Sequence, residues 1–269
     1  MNTIEMSRRF LPAVSAILLC AGLAACDTTP RDETARWTPE RLYSEAREEA
    51  SAGNLDRATR LYERLEGRAA GSVLAQQAQI ERAYLLWRNG EKAQALSTLE
   101  RFIKLHPTSP AVDYALYLQG LVNFNDNLGI LGNLASQDLS ERDQQAARDA
   151  YQSFKQLIEQ HPQSTYAEDA RARMNYIINS LAAYEVHVAR YYYRRGAYVA
   201  AVNRAQQAVQ EFQQSPSAEE ALHIMVLSYD RLGLTELRDD ADRVLKRSFP
   251  GSPGVGSFGA AKSPWWKLW

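Results

Sequence analysis

The side chains best suited to chemistry are few in this chain of 269 residues. There are two cysteines, Cys20 and Cys26, and four histidines, His106, His161, His187 and His223. A histidine metal site needs two imidazoles one helical turn apart, or a thiolate close by. None of these histidines has such a neighbour, so no metal is expected. Nucleophilic catalysis needs a hydroxyl or thiol held against a base, and the chain has no GxSxG elbow, no P-loop and no GxGxxG after a strand to build such a site. Acidic pairs such as Glu48-Glu49, Glu219-Glu220 and Asp239-Asp240 are sequence neighbours, which point apart on a helix and into water. No catalytic residue is assigned, and an enzyme is not expected. A net charge of −1 offers no basic stripe for nucleic acid.

Cys26 is the exception. Arg8 and Arg9 precede an apolar stretch from Phe10 to Leu19, and small residues come after it. That is the layout of a secretory signal peptide, here residues 1–25, with an apolar core too short to span a bilayer. It ends in Leu23-Ala24-Ala25-Cys26, which looks like the lipobox of bacterial lipoproteins. The thiol would attack a diacylglyceryl donor, and the small residues before it let a peptidase grip an extended backbone. After cleavage Cys26 is the first residue, and two or more acyl chains make a durable anchor where one is marginal. Cys20 leaves with the leader, so the mature chain holds no second sulfur for a disulfide or zinc site. The covalent lipid on Cys26 is the one non-protein group expected. Residues 26–37 read as a polar, turn-prone lipidated tether.

The body of the chain beyond this tether must be helical. Ala, Leu, Glu, Gln and Arg dominate, and strand or hairpin patterns are scarce. Four segments resemble one another: SAGNLDRATRLYERL from Ser51, WRNGEKAQALSTLERFI from Trp87, YRRGAYVAAVNRAQQAV from Tyr193 and DRLGLTELRDDADRVL from Asp230. In each, a glycine sits where one helix must end in a left-handed turn and another begin. Gly53 to Gly90 spans 37 residues, as does Gly196 to Gly233. Second helices tend to finish near a proline, as at Pro107, Pro162 and Pro250, because proline cannot continue a helix. This pattern resembles the tetratricopeptide repeat and predicts an all-α solenoid of about five helix pairs, over 38–68, 74–107, 111–162, 166–216 and 217–250. Ala46, Ala83 and Gly120 fall on first helices, and Ala58, Ala95, Ala150 and Ala201 on second helices, where close approach needs small side chains. Stacking should build one continuous core. N-terminal repeats then cover 38–165 and C-terminal repeats 166–250. The third pair is interrupted by an insertion at 125–145, which either carries function or folds onto the body. Residues 251–269 form a Gly/Ser-rich tail ending in Trp265, Trp266 and Trp269. Such a tail either stays loose or docks its aromatic tip in a substrate groove.

With this phasing, the inner faces of the first helices present Tyr43 and Arg47, then Tyr84 and Trp87, then Tyr114, Tyr117 and Phe124. Such an aromatic wall suits an extended peptide, because rings give large contact area at low entropy cost. Alternatively, several rings pack between neighbouring repeats. A second aromatic–cationic cluster gathers Tyr184, Tyr191, Tyr192 and Tyr193 with Arg190, Arg194 and Arg195, a composition typical of interface hot spots.

The runs RFIKLHPTSPAVDYALYLQGL from Arg101 and YYYRRGAYVAAVNRAQQAV from Tyr191 closely resemble the BamD family, the repeat lipoproteins of the β-barrel outer-membrane assembly machinery. The resemblance implies a lipid-anchored scaffold on the periplasmic face of the outer membrane, beside the barrel protein BamA and the other Bam lipoproteins. It implies that the C-terminal repeats dock on the BamA POTRA domains through a salt bridge at Arg204, with Arg195, Tyr191 and Tyr192 beside it. It also implies that the N-terminal repeats receive the C-terminal segments of β-barrel clients. The family's Arg-Tyr-Pro-x-Gly turn is replaced here by Arg68-Ala69-Ala70-Gly71-Ser72, so only the arginine carries over. Asp27 stands directly after the lipidated cysteine, a residue that favours inner-membrane retention in enteric bacteria. The competing readings are a repeat lipoprotein organising cell-wall synthesis and, more remotely, a cell-wall hydrolase.

Overall fold

The computed structural model describes residues 33–124 and 144–252. The leader and Cys26, the insertion except for its last two residues, and the tail beyond residue 252 lie outside the described residues. Ten helices succeed one another in the described residues. They form five pairs: α1 Pro39–Ser51 with α2 Leu55–Arg68, α3 Val73–Arg88 with α4 Lys92–Leu105, α5 Val112–Asn123 with α6 Gln144–Gln160, α7 Ala167–Arg194 with α8 Tyr198–Glu211, and α9 Ser217–Arg231 with α10 Thr235–Ser248. Each helix packs on the next, and first helices also stack on one another, α1 on α3, α3 on α5 and α7 on α9.

Local chemistry sets the boundaries. The Thr38 hydroxyl accepts a hydrogen bond from the Arg41 amide at 3.3 Å, with Pro39 opening α1. Ser72 caps α3 by accepting from the Ala75 amide at 3.0 Å. Both satisfy backbone donors that a first helical turn leaves open. Gly53, Gly90, Gly196 and Gly233 all adopt φ between 71° and 86°, the left-handed turn that the 37-residue spacing anticipates. An L side chain there would strain the link within a pair.

The small residues named from sequence all lie in the packed interior. Ala46, Ala58, Ala83, Ala95, Ala150 and Ala201 are fully covered, and Gly120 lies against the Phe154 ring. The buried residues nevertheless divide into three clusters instead of one continuous core. Leu42, Leu61, Tyr62 and Leu65 anchor the first, and Leu99, Phe102, Leu116, Phe154 and Leu157 the central one. The third is mostly alanine, with Ala189, Ala201, Ala205 and Ala208 letting α7 and α8 approach closely. Two features join them. Tyr84 packs against both the first and central clusters. Helix α7, at 28 residues twice the length of α8, gives Ile177, Leu181 and Ala182 to the central cluster and Val186 and Ala189 to the last.

The segment read as a tether is partly fixed. Thr34 is buried. Arg68 Nη1 donates to the Thr34 carbonyl at 2.8 Å and the Trp37 carbonyl at 2.6 Å, and Arg64 Nη1 donates to Thr34 Oγ1 at 2.9 Å. Residues 33–37 are thereby pinned to α2. The arginine that carries over from the family turn is spent holding the entry of the chain.

Candidate binding surfaces

The aromatic residues of the first helices pack on one another and on neighbouring helices. On α1, the Tyr43 ring meets Tyr62 edge-on at 5.8 Å, and its hydroxyl accepts from Gln77 Nε2 at 2.6 Å. On α3, Tyr84 and Trp87 pack at 6.0 Å, and the Arg88 guanidinium lies 5.9 Å from the Tyr84 ring. On α5, Tyr114 and Tyr117 both reach Tyr166, the residue that opens α7, at 5.3 and 4.7 Å. The second contact is a parallel stack.

Tyr43, Tyr84, Trp87, Tyr114 and Tyr117 are half-buried. Arg47 is exposed beside them. Phe124 is buried: Phe154, Tyr176 and the Arg173 guanidinium take its faces at 6.4, 5.8 and 5.1 Å. It supports the wall from behind, and Tyr176 takes the exposed place next to it.

The wall carries charge that periodicity did not expose. Glu81 on α3 lies in the field of Tyr43, Tyr62 and Tyr114, and burial pushes its carboxyl above the ordinary range while Arg47 partly offsets this. Burial likewise raises the Tyr43 and Tyr114 hydroxyls, with Glu81 adding to both. At the α5–α7 junction, the Tyr117 hydroxyl donates to Asp169 Oδ2 at 2.6 Å, and Arg173 Nε donates to the same oxygen at 2.6 Å. Burial and Asp169 push Tyr117 up to about 12. For Asp169, burial acts upward, but the bonds from Tyr117 and Arg173 prevail and hold it below its usual value. Tyr62, Glu81, Tyr166, Asp169, Arg173 and Tyr176 were missed from sequence. Most reach the wall from a neighbouring helix, and a within-helix repeat pattern does not report cross-unit contacts.

The second cluster sits at the α7–α8 turn. Tyr191 is 51% exposed and packs edge-on with Tyr192 at 5.7 Å, and the Arg195 guanidinium lies 5.3 Å from the Tyr191 ring. Tyr193 turns instead to Tyr198 on α8, at 5.5 Å. Arg190 Nε donates to Glu220 on α9 at 2.7 Å, tying the turn to the last pair. Arg204 lies one helical layer away, and its Nη1 donates to Glu185 Oε2 of α7 at 3.1 Å. Tyr191, Tyr192 and Arg195 thus form a surface patch, while Arg204 is also an internal partner.

Among the described residues no cluster of His, Cys, Asp and Glu is placed to hold a metal ion, and no helix is long and apolar enough to cross a membrane. Paired helices with left-handed glycine turns and aromatic first-helix faces define a helical-repeat protein of the tetratricopeptide type. Residues 36–244 match the family model YfiO, described as outer membrane lipoprotein. The chain is 44% identical to outer membrane protein assembly factor BamD of Neisseria meningitidis, over 97% of this chain and 99% of that one. It is 33% identical to the Vibrio cholerae protein of the same name, over 83% and 92%. Among solved structures, MamA overlays with a TM-score of 0.38 at 15% identity, covering 84% of this chain and 96% of that one. The chain belongs to the BamD (YfiO) family of outer membrane lipoproteins.

Proposed function

We propose that this chain is a lipid-anchored scaffold and client-recognition subunit of the machinery that folds and inserts β-barrel proteins into the outer membrane. The observation that carries the reading is 44% identity to an outer membrane protein assembly factor along 97% of the chain. Acyl chains on Cys26 hold the protein at the periplasmic face of the outer membrane, and no other cofactor is used. The work is done by binding geometry, not by bond chemistry.

Two surfaces divide the task. The exposed patch of Tyr191, Tyr192 and Arg195, with Arg204 nearby, docks on the POTRA domains of BamA, and the other Bam lipoproteins join the same assembly. A guanidinium over a tyrosine ring beside a second ring is the aromatic–arginine combination that dominates interface energetics. The wall of Tyr43, Arg47, Tyr84, Trp87, Tyr114 and Tyr117, backed by Phe124, receives the C-terminal segments of β-barrel clients. Half-buried rings are already fixed by their neighbours, so little side-chain entropy is lost when a peptide covers them.

Copurification tests the reading. A tagged wild-type chain extracted from membranes in mild detergent should bring down its BamA partner, and a Tyr191→Ala, Arg195→Glu double variant should bring down much less. Recovery of cell-wall synthesis enzymes in place of BamA would reject it.

A further inference from the structure

The first two helix pairs have two unlike edges. One carries the tight turns at Gly53 and Gly90. The other gathers the start of α1, the end of α2, the start of α3 and the end of α4. The chain enters on this second edge and is fixed to it, because Arg64 and Arg68 near the end of α2 hold Thr34 and the Trp37 carbonyl. Val73, which opens α3, is 80% exposed, the most exposed large apolar side chain among the described residues, and Leu105, which closes α4, is 60% exposed. Leu105 and the turn residues Gly67, Ala70 and Gly71 border one cavity, so these segments form a continuous surface. Charge on the edge leans positive. The stretches 67–80 and 102–112 contain no Asp or Glu, and Arg68 and Lys104 are exposed within them. Nearby, Glu63 and Glu66 are engaged by Arg82 and Arg101, and the exposed Glu33 and Glu40 of the entry are matched in number by Arg36 and Arg41.

We propose that this edge rests on the phospholipid surface, with Val73 and Leu105 entering the headgroup layer and Lys104 and Arg68 meeting anionic headgroups. The inference rests on the reading of Cys26 as the lipidated residue. From Cys26 to the fixed Thr34 the chain spans at most about 29 Å when fully extended, so the bilayer is always within reach of this edge. The Gly53 and Gly90 turns lie farther off by the length of α2, whose 14 residues span about 21 Å. A tether this short holds the edge at high local concentration beside the lipid, so a small contact suffices to set orientation. Apolar side chains flanked by basic ones are the composition that interfacial contacts use: the aliphatic groups leave water, and the cations gain from the negative surface potential. Lys104, adjacent to Leu105, has a stem long enough to keep its ammonium at the headgroups while Leu105 goes deeper. Seating this edge on lipid leaves the aromatic wall and the Tyr191 patch facing away from the contact or beside it, open to polypeptide partners.

The test uses the acylated full-length chain in vesicles of phosphatidylethanolamine and phosphatidylglycerol, with an environment-sensitive nitrobenzoxadiazole dye on single cysteines. Val73→Cys and Leu105→Cys report the proposed edge, each serving if the other folds poorly. Ala52→Cys and Ala93→Cys, exposed beside the Gly53 and Gly90 turns, report the opposite one. Nitroxide-bearing lipids should quench the dyes at 73 and 105 at least about twofold more than those at 52 and 93, as side chains inserted by about 5–10 Å require. Flotation of the same samples separates the two readings. A chain that floats with the vesicles while all four dyes are quenched alike would overturn the proposal and leave the anchor standing. A chain that does not float would remove the anchor and the proposal together. Shielding of the 73 and 105 dyes that needs added BamA partner, with no effect of the nitroxide lipids, would assign the edge to that protein and equally overturn the proposal.

Discussion

Arg204 Nη1 lies 3.1 Å from Glu185 Oε2, and the two partners stand in different media: Glu185 is 2% exposed and Arg204 42%. The arginine reaches from water to neutralise a carboxylate that α7 has carried into the alanine-rich core. Removing a partner from a buried pair leaves an uncompensated charge, which is costlier than the pair is worth. Arg204→Glu should therefore destabilise the chain itself by about 3 kcal/mol. At roughly 2–4 °C per kcal/mol for a body of this size, the melting temperature falls by several degrees. Adding Glu185→Gln should recover much of the loss. A thermal melt of Arg204→Glu indistinguishable from wild type would show that the pair carries no structural load. Weak partner binding by an Arg204 variant consequently reports docking only when its melt is normal, which is why Tyr191 and Arg195 are the cleaner probes.

Glu81 makes the wall pH-sensitive. Its folded pKa is raised by burial, with Arg47 acting against the shift. A carboxyl whose folded value exceeds its unfolded one favours the native state when protonated, and that contribution is lost as pH rises through the folded pKa. At pH 7 the ionised group is therefore a net cost. Glu81→Gln should melt at higher temperature than wild type at pH 7, and the gap should close as pH falls toward the ordinary carboxyl range. Melting curves at pH 7, 6, 5 and 4 decide it. A gap that stays constant over that range would exclude Glu81 as the source.

Tyr117 and Asp169 work in the opposite sense. Asp169 sits below its usual value because Tyr117 and Arg173 both donate to it, so its stabilising contribution is present at neutral pH and lost on strong acidification. Tyr117→Phe keeps the stack on Tyr166 but removes one donor. It should cost about 0.5–1.5 kcal/mol at pH 7, with a smaller difference near pH 2–3. Equal stability of variant and parent at pH 7 would contradict this.

The third pair depends on a missing side chain. A Cβ on Gly120 would lie 2.6 Å from Phe154 Cδ1, inside contact distance of a ring with no exposed surface. Gly120→Ala should destabilise by about 1–3 kcal/mol through overpacking, despite the better helix propensity of alanine. Chemical denaturation measures it. Combining it with Phe154→Leu should restore part of the loss, and no restoration would place the strain elsewhere.

Much of the repeat architecture was legible because it is written in residues with one structural use. Gly53, Gly90, Gly196 and Gly233 mark left-handed turns, and Ala46, Ala83 and Ala201 mark close crossings. The extent of α7 was not legible: no glycine or proline interrupts Ala167–Arg194, and periodicity alone does not say whether a long run serves one neighbour or two. The division of the core into three clusters results from that helix. Aromatic positions on the first helices were readable from phase, whereas Tyr166, Asp169 and Glu81 join the wall through contacts between units. Glu185 was invisible for a simpler reason: a glutamate in a helical run reads as solvated, and only the partner arriving from α8 explains its burial.

The claim on which the rest depends is that this chain promotes β-barrel assembly through its partner-docking face. The direct measurement is the rate at which an unfolded β-barrel protein becomes folded in liposomes containing the BamA partner, with wild-type chain, with the Tyr191→Ala, Arg195→Glu variant, or with neither. Wild-type chain should accelerate folding, and the folded double variant should return the rate toward that of the partner alone. Identical rates in all three preparations would contradict the account.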